Sequence, residues 1–149
     1  MKKIILTILF IPNILLAIPL TLNEYTSKNP LWSTSDRSSL SYITLRCGVL
    51  FKQISNNHQQ VGITKDIYKL TSMNAEKFIR YSSDIYKTSC INYECIKVEK
   101  KASQEKQKQW TLIYKNALVS NINNFGEMIY GDVKSDFSTC KTKVTPILE

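Results

Sequence analysis

A set of four cysteines constrains the fold of this 149-residue chain more than any other feature of its sequence. The cysteines are Cys47, Cys90, Cys95 and Cys140. An even number of cysteines in an exported protein indicates disulfides, whereas cytosolic proteins rarely contain them, and four cysteines allow three pairings. What these residues do therefore depends on whether the chain is exported.

The first seventeen residues predict export. Lys2 and Lys3 are followed by an apolar run from Ile4 to Ile18. A positive start before an apolar stretch of about 7–15 residues is typical of a signal peptide, and a spanning helix needs about 20 apolar residues. We expect cleavage near Ala17 and a periplasmic or secreted bacterial protein, which meets the membrane only through its signal peptide before cleavage. An uncleaved anchor and an interior apolar helix are the alternatives.

The rest of the chain predicts an all-α domain. Residues 18–31 are polar and contain two prolines, so we expect an extended lead-in there. Residues 32–149 repeat apolar positions at steps of three and four, as amphipathic helices do, and show no alternating pattern typical of strands. Four helices are predicted: from a cap among Ser33 to Asp36 to about Asn57, from near Thr64 to before Cys90, from Cys95 to Phe125, and from an Asp132 cap to Pro146. The sequence therefore predicts a small up-and-down bundle of about four helices, stabilised by disulfides.

Two parts of this pattern allow a second interpretation. The last stripe extends back through Gly126 and Gly131, so an unbroken helix from the third into the fourth is an alternative. The middle of the third helix, from Glu99 to Gln109, is almost wholly polar. Its Glu, Lys, Gln and Ala residues favour a helix, which is either a solvated arm or a basic docking face.

The apolar stripes favour one pairing of the cysteines. Cys47 and Cys140 lie in the stripes of the first and last predicted helices, where a bond between them would join neighbours in a bundle. Cys90 and Cys95 would then close a local clip between the second and third helices. The chain-entropy model gives about 4.7 kcal/mol for the long loop and about 2 kcal/mol for the short one.

Few residues are candidates for chemistry. The one histidine, His58, lies in a polar loop, and no nucleotide, haem or zinc motif is present, so we expect no catalytic residue, metal or cofactor. Arg46 and Tyr42 lie one turn apart in an otherwise apolar helix. Arg46 could bind a carboxylate ligand with Tyr42 beside it, or it could pair internally with Asp136 if the helices abut.

Charge and composition narrow the classes of partner. Removal of the signal peptide leaves a net charge of +6, but the lysines are spread along the chain and only three arginines are present. An exported protein with few arginines is a poor candidate for nucleic-acid binding, since Arg makes the commonest base contact. The expected partner is therefore a protein or an envelope component. Tyrosines that could serve an interface are Tyr68, Tyr81, Tyr86, Tyr93 and Tyr114.

Three functions are compatible with these sequence features, and we give them in order of preference. The first is an exported binding or accessory protein without catalysis. The second is a toxin-neutralising immunity or inhibitor protein, and the third is a hydrolase that uses carboxylates. In outline, with Arg46-Cys47 in the first helix and Asp136 and Cys140 in the last, the chain resembles small exported helical proteins of AT-rich bacteria. That resemblance implies no activity.

Overall fold

A computed structural model describes residues 20–60 and 63–148, and every regular element within them is helical. This confirms the all-α fold class. The predicted signal peptide lies outside the described residues. No helix in the described part of the chain is long and apolar enough to cross a membrane. The elements are α1 (Leu22–Lys28), α2 (Arg37–Asn56), α3 (Lys65–Ser89), α4 (Tyr93–Phe125) and α5 (Gly131–Thr139), then a π-helical turn (Cys140–Val144) and a 3₁₀ turn (Thr145–Ile147).

Capping residues set the bounds of the three long helices. Asp36, Thr64 and Asn92 precede α2, α3 and α4, and each side chain accepts a hydrogen bond from the backbone N–H three residues later. Helix α4 ends where Gly126 takes the left-handed conformation with φ of 71°. Because this residue closes the helix, α4 and α5 are separate, and the alternative of an unbroken helix is wrong.

The extended lead-in predicted for residues 18–31 requires correction, because α1 lies within it. Thr21 and Glu24 form a reciprocal capping box at the start of this short helix. Leu22 is fully buried, so α1 is packed against the domain rather than trailing from it. The helix count therefore rises to five within the described residues.

The carboxyl-terminal end also departs from the prediction. The N-cap of α5 is Tyr130, which makes no side-chain cap hydrogen bond, and the expected cap Asp132 lies in the first helical turn instead. After Thr139 the helix widens into the π-helical turn, in which the Thr145 N–H bonds to the carbonyl of Cys140. This places Cys140 and Val144 in the core.

Helix α2 is the centre of the domain. Residues 43–51 are all buried, although the sequence pattern predicted burial of one face only. A helix that is buried all round needs neighbours on every side. Helix α3 runs antiparallel to it, since Ser41 bonds to Ser82 while Phe51 packs on Phe78. Helix α4 packs on another side of α2, and the π-helical turn and α5 complete the enclosure.

Small residues let α2 and α3 approach each other closely. At Gly48 an added Cβ would lie 2.7 Å from Ile79 Cγ1 and 3.0 Å from the Ala75 carbonyl oxygen. One end of the same interface holds the Ser41 and Ser82 hydroxyls, which are 2.9 Å apart and fully buried. The polar groups of α2 are thus paired inside the core, which its packing requires.

Candidate functional site

The most polar feature of the core is an ion pair between α2 and α5. Arg46 Nη2 lies 2.5 Å from Asp136 Oδ2, and both side chains are 0% exposed. Burying an ion pair is costly unless the remaining donors and acceptors of both groups are satisfied. The surroundings of the pair therefore decide whether it is a structural element or an open binding site.

The surrounding residues satisfy both charged groups. Asp136 also accepts hydrogen bonds from the Tyr114 hydroxyl and from the backbone N–H of Leu22, each at 2.5 Å. Arg46 also donates to the Leu20 carbonyl at 2.8 Å and to the hydroxyl of Tyr42 at 3.2 Å. Every buried side-chain nitrogen and oxygen within the described residues has a hydrogen-bond partner.

Aromatic rings enclose the guanidinium. Its central carbon lies 3.9 Å from the ring centroid of Trp110, which is a cation–π distance. Tyr42 packs edge-on against Trp110 with centroids 5.9 Å apart, and Tyr25 packs on Tyr42 at 4.7 Å. These rings come from α1, α2 and α4. Because Asp136 belongs to α5, the cluster joins four helices.

Burial and neighbouring charges shift the pKa values of the cluster. Burial raises the pKa of the Asp136 carboxyl, and Arg46, the Tyr114 hydroxyl and the Leu22 N–H oppose that rise. Burial alone would lower the pKa of Arg46, but Tyr114 and Asp136 outweigh it and the pKa is raised. Burial also raises the pKa of Tyr114 well above its ordinary value, so its hydroxyl stays protonated and donates to Asp136.

Of the two interpretations of Arg46, the structure shows the internal one. Arg46 pairs with Asp136, and the partly buried Tyr42 lies beside it, where its hydroxyl accepts a hydrogen bond from Arg46. An external carboxylate would have to displace Asp136 and the amino-terminal segment to reach the guanidinium. The arrangement holds α1, α2, α4 and α5 together.

Both disulfides have the pairing that the apolar stripes favoured. Cys47 and Cys140 are bonded, both are fully buried, and they lie beside the Arg46–Asp136 pair. Cys90 and Cys95 are bonded across the connection between α3 and α4. The second bond closes a small ring at the surface, which we call the clipped tip and define as residues 90–95.

Among the described residues, the clipped tip carries the most exposed of the large apolar side chains. Ile91 is 99% exposed and Tyr93 is 74% exposed. The first buried residue of α4 is Trp110, about 25 Å along the helix from its start at 1.5 Å per residue. The tip thus lies beyond the packed core, at the end of a helical hairpin.

Other residues considered in the sequence analysis lie apart from both features. His58 is exposed in its loop, where its ring packs on Tyr68 at a centroid distance of 4.9 Å. Tyr114, expected as a possible interface residue, is instead part of the buried cluster. No group of three or more His, Cys, Asp or Glu side chains is placed to hold a metal ion within residues 20–60 and 63–148.

Two open surface clefts lie apart from the buried ion pair and from the clipped tip. One, of about 320 Å³, lies between α3 and Leu148 and is lined by exposed charged residues of α3 such as Lys77 and Arg80. The other, of about 450 Å³, lies on the loop between α1 and α2. Neither includes Arg46, Asp136 or the clipped tip.

Sequence reasoning identified Arg46, Tyr42 and Asp136, but it named Tyr114 only as a possible interface residue and did not single out Trp110. The positions of Trp110 and Tyr114 one turn apart on α4, opposite an arginine, are the signal that could have indicated the cation–π contact. Comparisons with models of protein families, with curated proteins and with solved structures gave no match. The function must therefore be argued from this geometry.

Proposed function

We propose that this chain is an exported binding protein without catalysis, and that the clipped tip is its binding element. The observation that carries the proposal is the exposure of Ile91 and Tyr93 in a ring closed by the Cys90–Cys95 disulfide. Two disulfides in one small domain favour an oxidising compartment outside the cytosol.

Exposed apolar groups on a constrained loop favour binding. An isoleucine and a tyrosine at the centre of an interface can supply much of its binding energy once they are desolvated. A disulfide that holds the loop in one conformation lowers the entropy lost on association. The buried cluster supports the same function indirectly, because Arg46 and Asp136 already bind each other, and the cluster anchors α4, one of the two helices that carry the tip.

The convex shape of the tip also favours the second candidate, a toxin-neutralising or inhibitor protein. A rigid apolar projection fits a concave surface, and enzyme active sites are commonly clefts. Under this version the partner is a secreted enzyme whose cleft receives Ile91 and Tyr93. The two candidates share the tip and differ only in what happens to the partner's activity.

Capture of partners from an envelope fraction tests the proposal. The chain from residue 18 onward is immobilised beside an Ile91→Asp/Tyr93→Ala variant and a matched control, Leu112→Asp/Val119→Ala, which alters two exposed apolar residues elsewhere on α4. We expect a protein that the unaltered chain and the control retain and that the tip variant loses. Equal recovery on all three, or no recovered protein, would overturn the proposal.

An activity assay separates the two candidates. If the captured protein is an enzyme, its turnover is measured with and without the chain at saturating concentration. If the unaltered chain abolishes turnover and the tip variant does not, the chain has the inhibitor function. Unchanged turnover assigns the accessory binding function.

A further inference from the structure

Exposed lysines continue along α4 from the clipped tip. Relative to Tyr93, the positions at i+4, i+7, i+8 and i+15 share its side of the helix. All four of these positions are lysines and all are exposed. We call them the lysine row; they are Lys97, Lys100, Lys101 and Lys108.

The row is a positive strip beside an apolar anchor. Within the described residues only Lys108 of this row has an ion-pair partner, Glu105 at 2.9 Å. The other three charges face solvent. The carboxylates of α4 near the row, those of Glu94, Glu99 and Glu105, lie about 100° or more around the helix from Tyr93, whereas the four lysines lie within about 80° of it. The face that begins at Tyr93 is thus more basic than the helix as a whole.

We propose that the partner is a folded protein with an apolar pocket for Ile91 and Tyr93, bordered by carboxylates that meet the lysine row. This inference rests on the proposed binding function and names the chemistry of its partner. The apolar anchors supply most of the affinity, while the opposite charges on the two surfaces speed the encounter and fix the orientation.

The geometry favours a protein over an anionic lipid surface. Lys108 lies about 22 Å along α4 from Tyr93, at 1.5 Å per residue. A flat bilayer that received the tip end-on would leave Lys108 well beyond the screening length of about 8 Å at physiological salt. A bilayer lying along α4 would meet, of the exposed residues beyond the tip, only the lysines and Gln104, without the apolar stripe that interfacial helices insert. A shaped protein surface can follow the helix and contact the tip and the row together.

Site-specific photo-crosslinking with charge reversal tests this inference. A benzophenone amino acid is placed at position 91, and at position 119 of the exposed Val119 as control, in otherwise unaltered chains. The position-91 chain is also made with Lys100→Glu/Lys101→Glu, or with Lys69→Glu/Lys134→Glu as a control of equal charge away from α4. Each chain is irradiated with an envelope fraction and, separately, with vesicles of equal phosphatidylglycerol and phosphatidylcholine.

We expect a discrete polypeptide crosslinked from position 91 and not from position 119. The α4 reversal should lower its yield about tenfold at low salt, while the control reversal leaves it unchanged. The crosslinked peptide of the partner should contain apolar residues flanked by Asp or Glu.

Any of three results would overturn the inference alone, and a fourth would overturn the binding function with it. Binding to the vesicles with no crosslinked polypeptide would assign a lipid surface instead. A crosslink from position 91 that withstands the α4 reversal would remove the carboxylate border. A partner captured by the unaltered chain but crosslinked equally from position 119 would overturn the assigned surface while leaving the binding function intact. Absence of any captured protein would overturn the binding function as well.

Discussion

Arg46 and Asp136 are 90 positions apart in the chain, and their side chains meet at 2.5 Å beside the Cys47–Cys140 disulfide. Arg46 is adjacent to Cys47 in α2, and Asp136 of α5 precedes Cys140 by four positions. A covalent bond and a buried ion pair therefore hold the same two segments together. The disulfide keeps the two segments linked when the ion pair is removed by substitution. The contribution of the ion pair to the free energy of unfolding can therefore be measured in a chain that remains cross-linked.

We expect the effects of substituting the two residues of the ion pair on the free energy of unfolding to be non-additive. Arg46→Met leaves Asp136 buried without its cation, and Asp136→Leu leaves Arg46 without its anion. Breaking a buried pair by removing one partner costs about 3–5 kcal/mol. The double variant Arg46→Met/Asp136→Leu should cost less than the sum of the two, as measured by urea denaturation. Additive losses would show that the two charges do not interact.

Gly48→Ala should destabilise the domain even though alanine favours helix by about 1 kcal/mol. The new Cβ would lie 2.7 Å from Ile79 Cγ1 and 2.9 Å from the Ile79 backbone nitrogen, so α3 has to move. We expect a net loss of about 1–2 kcal/mol in the free energy of unfolding. The double variant Gly48→Ala/Ile79→Ala should recover only part of the lost stability, since the close contacts of the new Cβ with the backbone of α3 remain. An unchanged midpoint in Gly48→Ala would contradict the close approach of α2 and α3.

The two disulfides should differ in how readily a dithiol reductant opens them. Cys47 and Cys140 are fully buried, whereas Cys90 and Cys95 are partly exposed at the tip. With increasing reductant under native conditions, alkylation and mass spectrometry should find Cys90 and Cys95 modified first. Replacing both of the latter by serine should cost about 2 kcal/mol, against about 4.7 kcal/mol for Cys47 and Cys140. Simultaneous modification of all four cysteines would contradict this order.

Acid should remove a contribution that Asp36 makes to stability. The Ser39 hydroxyl and backbone N–H donate to its carboxylate and hold its pKa below the usual 3.8. The unfolded chain then binds more protons at this residue, so its contribution is present above about pH 4 and is lost as the pH falls through the folded-state pKa. Thermal melts between about pH 5 and 2 should show a smaller acid loss for Asp36→Asn, whose amide does not titrate. Parallel curves for the two proteins would contradict this.

Much of the fold could be predicted because local signals agreed with tertiary contacts. Asp36, Thr64 and Gly126 fall at or beside the helix ends that the sequence indicated. The stripes that contain Cys47 and Cys140 also gave the correct pairing. In each case a short-range pattern is sufficient, since a cap or an apolar face needs few other residues to define it.

Most of the differences arise from contacts between residues that are distant in sequence. The polar residues of α1 predict an extended segment, although the capping-box spacing of Thr21 and Glu24 is a local signal for a helix. The position of α1 depends on Asp136, which accepts from the Leu22 N–H across 114 positions of sequence. Likewise, burial of α2 on all sides and exposure of the tip depend on how the helices assemble.

In this proposal the buried cluster stabilises the domain, whereas the clipped tip binds the partner. The most direct test measures dissociation constants for the captured partner with three proteins: the unaltered chain, Ile91→Asp/Tyr93→Ala, and Arg46→Met/Asp136→Leu, each at a temperature where circular dichroism shows it folded. We predict that the cluster variant binds like the unaltered chain and that the tip variant binds about a hundredfold more weakly, as loss of two anchor residues implies. Loss of binding in the folded cluster variant, with full binding by the tip variant, would contradict the account.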